Sequence, residues 1–220
     1  MKLHGELARL RRLWRPFVIN NYLKNNEERK LHLGCGSKIV PGWLNVDKFS
    51  RTTDTYLNAY ARFPFEDKLF SKIFSEHMIE HIRIDKVRHF LTEVHRTMKP
   101  GGVFRVTCPD LEIFIDKYRA NDEEFFKHRL SMIDNMRKRK PEVTWVARTK
   151  GGAIMIDTVR NFYHHRWMYD FETLESCLKE VGFNTVLKQS CEHSIDPELA
   201  NMDSPNRSKI TLYIDAVKAE

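Results

Sequence analysis

The stretch Lys30-Leu31-His32-Leu33-Gly34-Cys35-Gly36-Ser37-Lys38-Ile39, followed by Gly42-Trp43-Leu44-Asn45-Val46-Asp47, constrains the fold more than any other. It reads as a buried strand, a glycine turn and a second strand that ends in a carboxylate. Gly34 and Gly36 carry no Cβ, so the backbone leaving the first strand can turn sharply and lie directly against a ligand. Asp47, at the carboxyl end of the second strand, is placed to accept hydrogen bonds from a pair of ribose hydroxyls. The stretch predicts an α/β sheet with a nucleoside-binding pocket at its carboxyl edge.

What is missing narrows the ligand. A dinucleotide fingerprint adds a third glycine and places its acid about 20 residues further on; here the pattern stops at Gly-Cys-Gly and Asp47 comes early. The sequence has no phosphate-loop Gly-Lys-Ser/Thr and no Tyr-x-x-x-Lys pair. Downstream, Asn58-Ala59-Tyr60-Ala61-Arg62-Phe63-Pro64-Phe65 reads as a loop, and Phe70-Ser71-Lys72-Ile73-Phe74-Ser75-Glu76 as a strand running into His77-Met78-Ile79-Glu80-His81. A helix follows, with Asp85 near its start and Val87, Phe90, Leu91, Val94 and Met98 on one face. Lys99-Pro100-Gly101-Gly102 is expected to end that helix, and Val103 to Asp110 to form the next strand.

In this order the segments resemble the class I S-adenosylmethionine (SAM) methyltransferases, whose cofactor has a ribose and an adenine but no phosphate. The likeness covers roughly residues 30–118 and returns at 164–217. It implies a Rossmann-like α/β fold, with a seven-stranded, mostly parallel sheet, an antiparallel last strand and helices on both faces. It also implies SAM contacts from Gly34, Cys35, Gly36, Asp47 and Glu76, with Asn58 standing where the family has an acid that binds the adenine amino group. His32 replaces the acid usually found two residues before the first glycine. His165-Arg166-Trp167-Met168-Tyr169-Asp170 and the closing Leu212-Tyr213-Ile214-Asp215-Ala216-Val217-Lys218 are similar to a subset associated with surface-glycan assembly, and Asp110 after the fifth strand matches that subset. The resemblance therefore implies O-methylation of a sugar hydroxyl in a glycan or sugar nucleotide. An RNA or small-metabolite methyltransferase, or a non-catalytic scaffold of the same fold, are the alternatives.

Length and composition agree with one domain over residues 1–220. No apolar run approaches the ~20 residues of a membrane span, and no secretory signal is visible. Cys35, Cys108, Cys177 and Cys191 show no metal-ligand spacing and read as reduced packing residues of a cytoplasmic protein. Of the net charge of +7, five units lie in residues 1–30, where eight Lys/Arg face three acids. The segment 1–29 also carries Leu3, Leu7, Leu10, Trp14 and Phe17 at helical spacing. Such a basic amphipathic helix suits either a packed cover over the cofactor or a peripheral membrane or nucleic-acid contact. Residues 119–162 are an insertion that the core fold does not need, expected over the acceptor side. It holds Phe125, Phe126, Trp145, Phe162 and Tyr163 and the basic run Arg137 to Lys140, a mixture suited to a phosphorylated sugar, to RNA bases, or to an ordinary helical cap.

The chemistry centres on His77-Met78-Ile79-Glu80-His81. Methyl transfer to an alcohol needs a base or a metal, because a free hydroxyl is a poor nucleophile. If the segment turns helical, His77, Glu80 and His81 share a face. The segment is similar to a Glu-x-x-Glu-His motif that binds a divalent metal in some O-methyltransferases, with His77 in place of the first Glu. The catalytic candidates are therefore His77, His81 and Asp110, and the metal candidates His77, Glu80, His81 and His165, with a core histidine as the plain alternative.

Overall fold

A computed structural model describes residues 2–50, 52–137, 149–158 and 164–220, the side chains of 2–12, 135–137 and 156–158 excepted. Helix α1 (Lys2–Asn25) leads into β1 (Lys30–Leu33), β2 (Leu44–Asp47), β3 (Thr55–Tyr56) and β4 (Phe70–Glu76). A 3-10 turn (Ile79–His81) and α2 (Ile84–Thr97) connect β4 to the long β5 (Met98–Pro109). Then come α3 (Leu111–Arg119), α4 (Glu123–Arg137), α5 (Lys150–Thr158), α6 (Phe171–Glu180), β6 (Phe183–Gln189), α7 (Pro197–Ala200), a 3-10 segment (Pro205–Ile210) and β7 (Thr211–Lys218).

The strands form one seven-stranded sheet in the order β3-β2-β1-β4-β5-β7-β6. The pairs among β1 to β5 are parallel, and β7 runs antiparallel to both β5 and β6. Strands covered on both faces read as apolar runs, which accounts for the burial of Leu31, Leu33, Leu44, Val46, Phe70, Ile73 and Phe74. On α2 the predicted face is the buried one, with Val87, Phe90, Leu91 and Val94 in the main core. The carboxyl ends of β1, β2, β4 and β5 share one edge of the sheet, where the 33–36, 47–50, 76–81 and 109–110 segments meet.

Two expectations are corrected. Pairing of β5 begins at Met98, not Val103: Phe70 faces Met98 and Lys72 faces Val103, so Lys99 to Gly102 form a bulge within the strand. Gly101 there has a left-handed φ of 69°. A Cβ on Gly102 would stand 2.9 Å from the Lys99 carbonyl and 3.0 Å from that of Ser71, which explains the paired glycines. On α1, Trp14 and Phe17 are 62% and 66% exposed. Among the described side chains of the helix, the contacts with the core come instead from Val18, Ile19, Tyr22 and Leu23; Leu3, Leu7 and Leu10 lie outside the described side chains. Residues 138–148 and 159–163, with Trp145, Phe162, Tyr163 and most of the basic run, lie outside the described residues.

Buried Arg105 on β5 ties the antiparallel end together. Its guanidinium reaches Asp203 at 2.6 Å and Asp215 of β7 at 2.8 Å, and donates to the Ser190 carbonyl at 3.1 Å. All three charged side chains are fully buried, so the 190–204 loop is pinned to the sheet. No helix among the described residues is long and apolar enough to cross a membrane.

Candidate active site

The glycine turn folds as its residues dictate. Gly34 and Gly36 have φ values of 67° and 55°, in the region only glycine enters freely. The amides of Gly34 and Cys35 both donate to the Val46 carbonyl, at 2.9 and 3.1 Å, which binds the turn to β2. Asp47 completes it: its carboxylate accepts from Gly36 N at 3.2 Å, Phe49 N at 2.5 Å and Ser50 N at 2.7 Å. In front of Gly36 a Cβ would meet nothing within 4 Å, so this backbone is open to a ligand. The Cys35 thiol points inward to Thr53 Oγ at 3.3 Å, and burial pushes it up to about 11. The turn therefore presents its backbone and keeps its thiol as packing.

Asn58 stands in the loop after β3, its Oδ1 accepting from Tyr60 N at 3.2 Å. That loop is held from α2: Glu93 accepts from Phe63 N at 2.7 Å, and Arg96 donates to the Phe63 and Phe65 carbonyls. Glu76, at the end of β4, accepts from Ser204 N at 2.8 Å and Ser204 Oγ at 2.7 Å, with Lys38 3.9 Å away. Lys38 also donates to the Met202 carbonyl. Ser204 and Lys38 stand against Glu76 and are not among the candidates read from the sequence. His32 is a core residue, bonded to Asn45 at 3.1 Å and packed on Phe74.

The 77–81 turn joins this side to a second one. His77 takes a left-handed φ of 49°, and Met78 folds its side chain over Gly34, where a Cβ would stand 2.7 Å from Met78 Cγ. His77, Glu80 and His81 look the other way, into a cavity of about 850 Å³. The cavity is walled by Phe114 and Lys117 of α3, Phe125 and Arg129 of α4, and Arg207 and Lys209 of the Pro205–Ile210 segment. His165 also lines it. The reason is that the Glu80 carbonyl accepts from Arg166 N at 2.6 Å, which draws the 165–167 segment over the turn.

Glu80 is fully buried, with Oε1 3.2 Å from His77 Nδ1 and 3.9 Å from Nε2 of both His81 and His165. Burial alone would raise its carboxyl. The His77 contact, and the charge of His77, His81 and His165 when they are protonated, outweigh that and hold it below the ordinary carboxylate range. Thr211 Oγ spends its proton on the Arg207 carbonyl, so the 2.9 Å bond from His77 is donated by Nε2–H. Asp110 is placed differently. It is 3% exposed, caps α3 by accepting from Glu112 N at 2.9 Å, and does not line the cavity.

Residues 45–106 match the family model described as "Methyltransferase domain". The fold matches a chain of the complex containing the Haloferax volcanii Trm112 methyltransferase activator, at 14% identity and TM-score 0.50, over 95% of this chain and 91% of that one. It also matches a SAM-dependent methyltransferase from Thermotoga maritima at 16% identity and TM-score 0.50, over 90% and 86%. No curated protein matches the sequence. Fold and matched segment support a class I SAM-dependent methyltransferase. The methyltransferase segment contains Asp47, Asn58, Glu76, His77, Glu80 and His81, while the glycine turn, Asp110 and His165 lie outside it. The residues also fit the SAM of such an enzyme: the open backbone at Gly36 lies beside the Asp47 carboxylate, on the edge of the sheet where ligands of this architecture sit.

Proposed function

We propose that the chain is a SAM-dependent O-methyltransferase whose acceptor is a sugar hydroxyl, in a glycan or sugar nucleotide that carries a negative charge. The observation that carries this reading is the two-faced turn: Met78 lies on the glycine turn while His77, Glu80 and His81 line the cavity. A methyl group held on the first side and a hydroxyl held on the second would meet at that turn. Phe114 and Phe125 offer apolar faces to a sugar ring, and Arg207 and Lys209 make no ion pair among the described residues, which leaves both to an anionic group.

The cofactor supplies a methyl group on a sulfonium, already activated for displacement. Gly34, Cys35 and Gly36 give it backbone, Asp47 holds the ribose hydroxyls, Asn58 takes the adenine edge, and Glu76 borders the amino-acid end. The cavity aligns the acceptor, which supplies much of the rate of such a displacement. As the acceptor oxygen bonds to the methyl carbon and the carbon–sulfur bond breaks, the hydroxyl proton passes to the His81 imidazole. His81 is the most exposed imidazole of the cluster, at 38%, and Glu80 behind it stabilises the charge it gains.

The test is a calorimetric titration of S-adenosylhomocysteine (SAH) into the wild type and Asp47→Ala, followed by transfer of labelled methyl from SAM to neutral and phosphorylated sugars. Micromolar SAH affinity lost in the variant, with a methyl ether in the product, is the expected outcome. A folded wild type with no affinity for SAH sinks the proposal and favours a non-catalytic scaffold.

A further inference from the structure

We infer that Glu80, His81 and His165 form a binding site for one divalent transition-metal ion. Each offers one ligand atom, and the three atoms lie within 4.8 Å of one another at the floor of the cavity. Both histidine Nε2 atoms stand 3.9 Å from Glu80 Oε1. Ligand atoms around a tetrahedral zinc, with bonds of 2.0–2.1 Å, stand about 3.3 Å apart. Each histidine nitrogen must close on Glu80 Oε1 by about 0.6 Å, and the two histidine nitrogens on each other by at most about 1.5 Å, to complete the set, within the reach of side-chain rotation.

The carboxylate is the second observation. Among the described residues, neither buried oxygen of Glu80 accepts a hydrogen bond, and His77 Nδ1 approaches no nearer than 3.2 Å. A carboxyl group so deeply buried and without a hydrogen bond calls for a partner, and a metal cation is one. The backbone fixes the triad: Glu80 and His81 share one 3-10 turn, and the Glu80 carbonyl holds the chain next to His165. His77 stays outside it, with Nε2 committed to Thr211. Two imidazoles and one carboxylate suit zinc, manganese or iron rather than magnesium or calcium, which prefer all-oxygen shells.

The role of such an ion rests on the function proposed above, since it would lower the pKa of a hydroxyl in the cavity. Glu80, His81 and His165 would then hold the ion, and the hydroxyl proton would leave to solvent instead of to His81. The site itself does not depend on that role.

The experiment is calorimetric titration of Zn²⁺ and Mn²⁺ into the full chain after chelator treatment, with Co²⁺ absorption bands as a spectroscopic readout. One ion per chain is expected, with affinity at least tenfold weaker in Glu80→Gln and in His81→Ala. His81→Ala removes a half-exposed side chain and so tests the site even if Glu80→Gln fails to fold. His89→Ala, on the exposed face of α2, is expected to change nothing. No uptake, or uptake unchanged in His81→Ala, overturns the proposal and leaves Glu80 as the counter-charge of the histidines. SAH titration of the same samples reads the methyltransferase proposal separately: a chain that takes the ion but not SAH sinks that proposal and sustains this one.

Discussion

His32 stands where the family's sequences have an acid, and here the position belongs to the core. Burial pushes its imidazole down to about 4, only partly offset by the Asn45 hydrogen bond. The unfolded chain takes up this proton below about pH 6.5, the native state only near 4, so the stabilisation is complete above 6.5 and is lost as the pH falls between the two. The full shift corresponds to about 3 kcal/mol. His95, also lowered by burial, adds in the same direction. Urea unfolding at pH 7.5 and 5 is expected to show a marked acid loss in the wild type and a smaller one in His32→Leu; equal losses would contradict it. At Gly34, substitution by Ala meets a left-handed φ and the Met78 side chain 2.7 Å away. The backbone part costs roughly 1–2 kcal/mol. Adding Met78→Ala should recover the steric part only, as a double-mutant cycle would read. Both glycines were legible because a turn needs them locally. The capping role of Asp110 was not, since a carboxylate after a strand serves a helix N-terminus and a pocket equally well.

Among the elements, α2 was legible in its apolar spacing and β4 as a strand, whereas the start of β5 was not. Lys99-Pro100-Gly101-Gly102 carries the composition of a helix stop, and only pairing with β4 reveals it as a bulge. The Arg105 cluster escaped for the same reason: its partners are 98 and 110 residues away in the chain. Replacing Arg105 by Met would leave Asp203 and Asp215 buried without their cation, at a cost of about 3–5 kcal/mol in chemical denaturation. Because the neighbouring Ser204 is bonded to Glu76, the same variant is expected to weaken SAH binding, which calorimetry would detect; unchanged affinity would show that the loop does not support the site. On α1, Trp14→Ser with Phe17→Ser should leave the unfolding midpoint within about 0.5 kcal/mol of wild type, as for other exposed positions.

At the scale of the whole molecule, the cavity proposed for the acceptor is assembled from α3, α4, the 77–81 turn, the His165 segment and the Pro205–Ile210 segment. No single window of sequence announces such a cavity, because its walls are far apart in the chain and meet only when the sheet forms. Arg207→Ala is expected to raise KM about tenfold for a phosphorylated acceptor, the weight of one charged hydrogen bond, and to leave kcat and neutral sugars unaffected. A steady-state comparison of the two acceptor types would decide it, and equal effects on both would argue against an anion subsite. The position of β7 between β5 and β6 has a consequence for how the protein is made. Val103 pairs with Val217, so the ribosome must deliver more than a hundred residues before that pairing can begin. Until then β5 offers an unpaired row of amides and carbonyls, and β6 has no neighbour to join. A nascent chain that has emerged only as far as β6 is thus open to edge-to-edge association with its neighbours on a polysome, a hazard that ends when β7 is inserted.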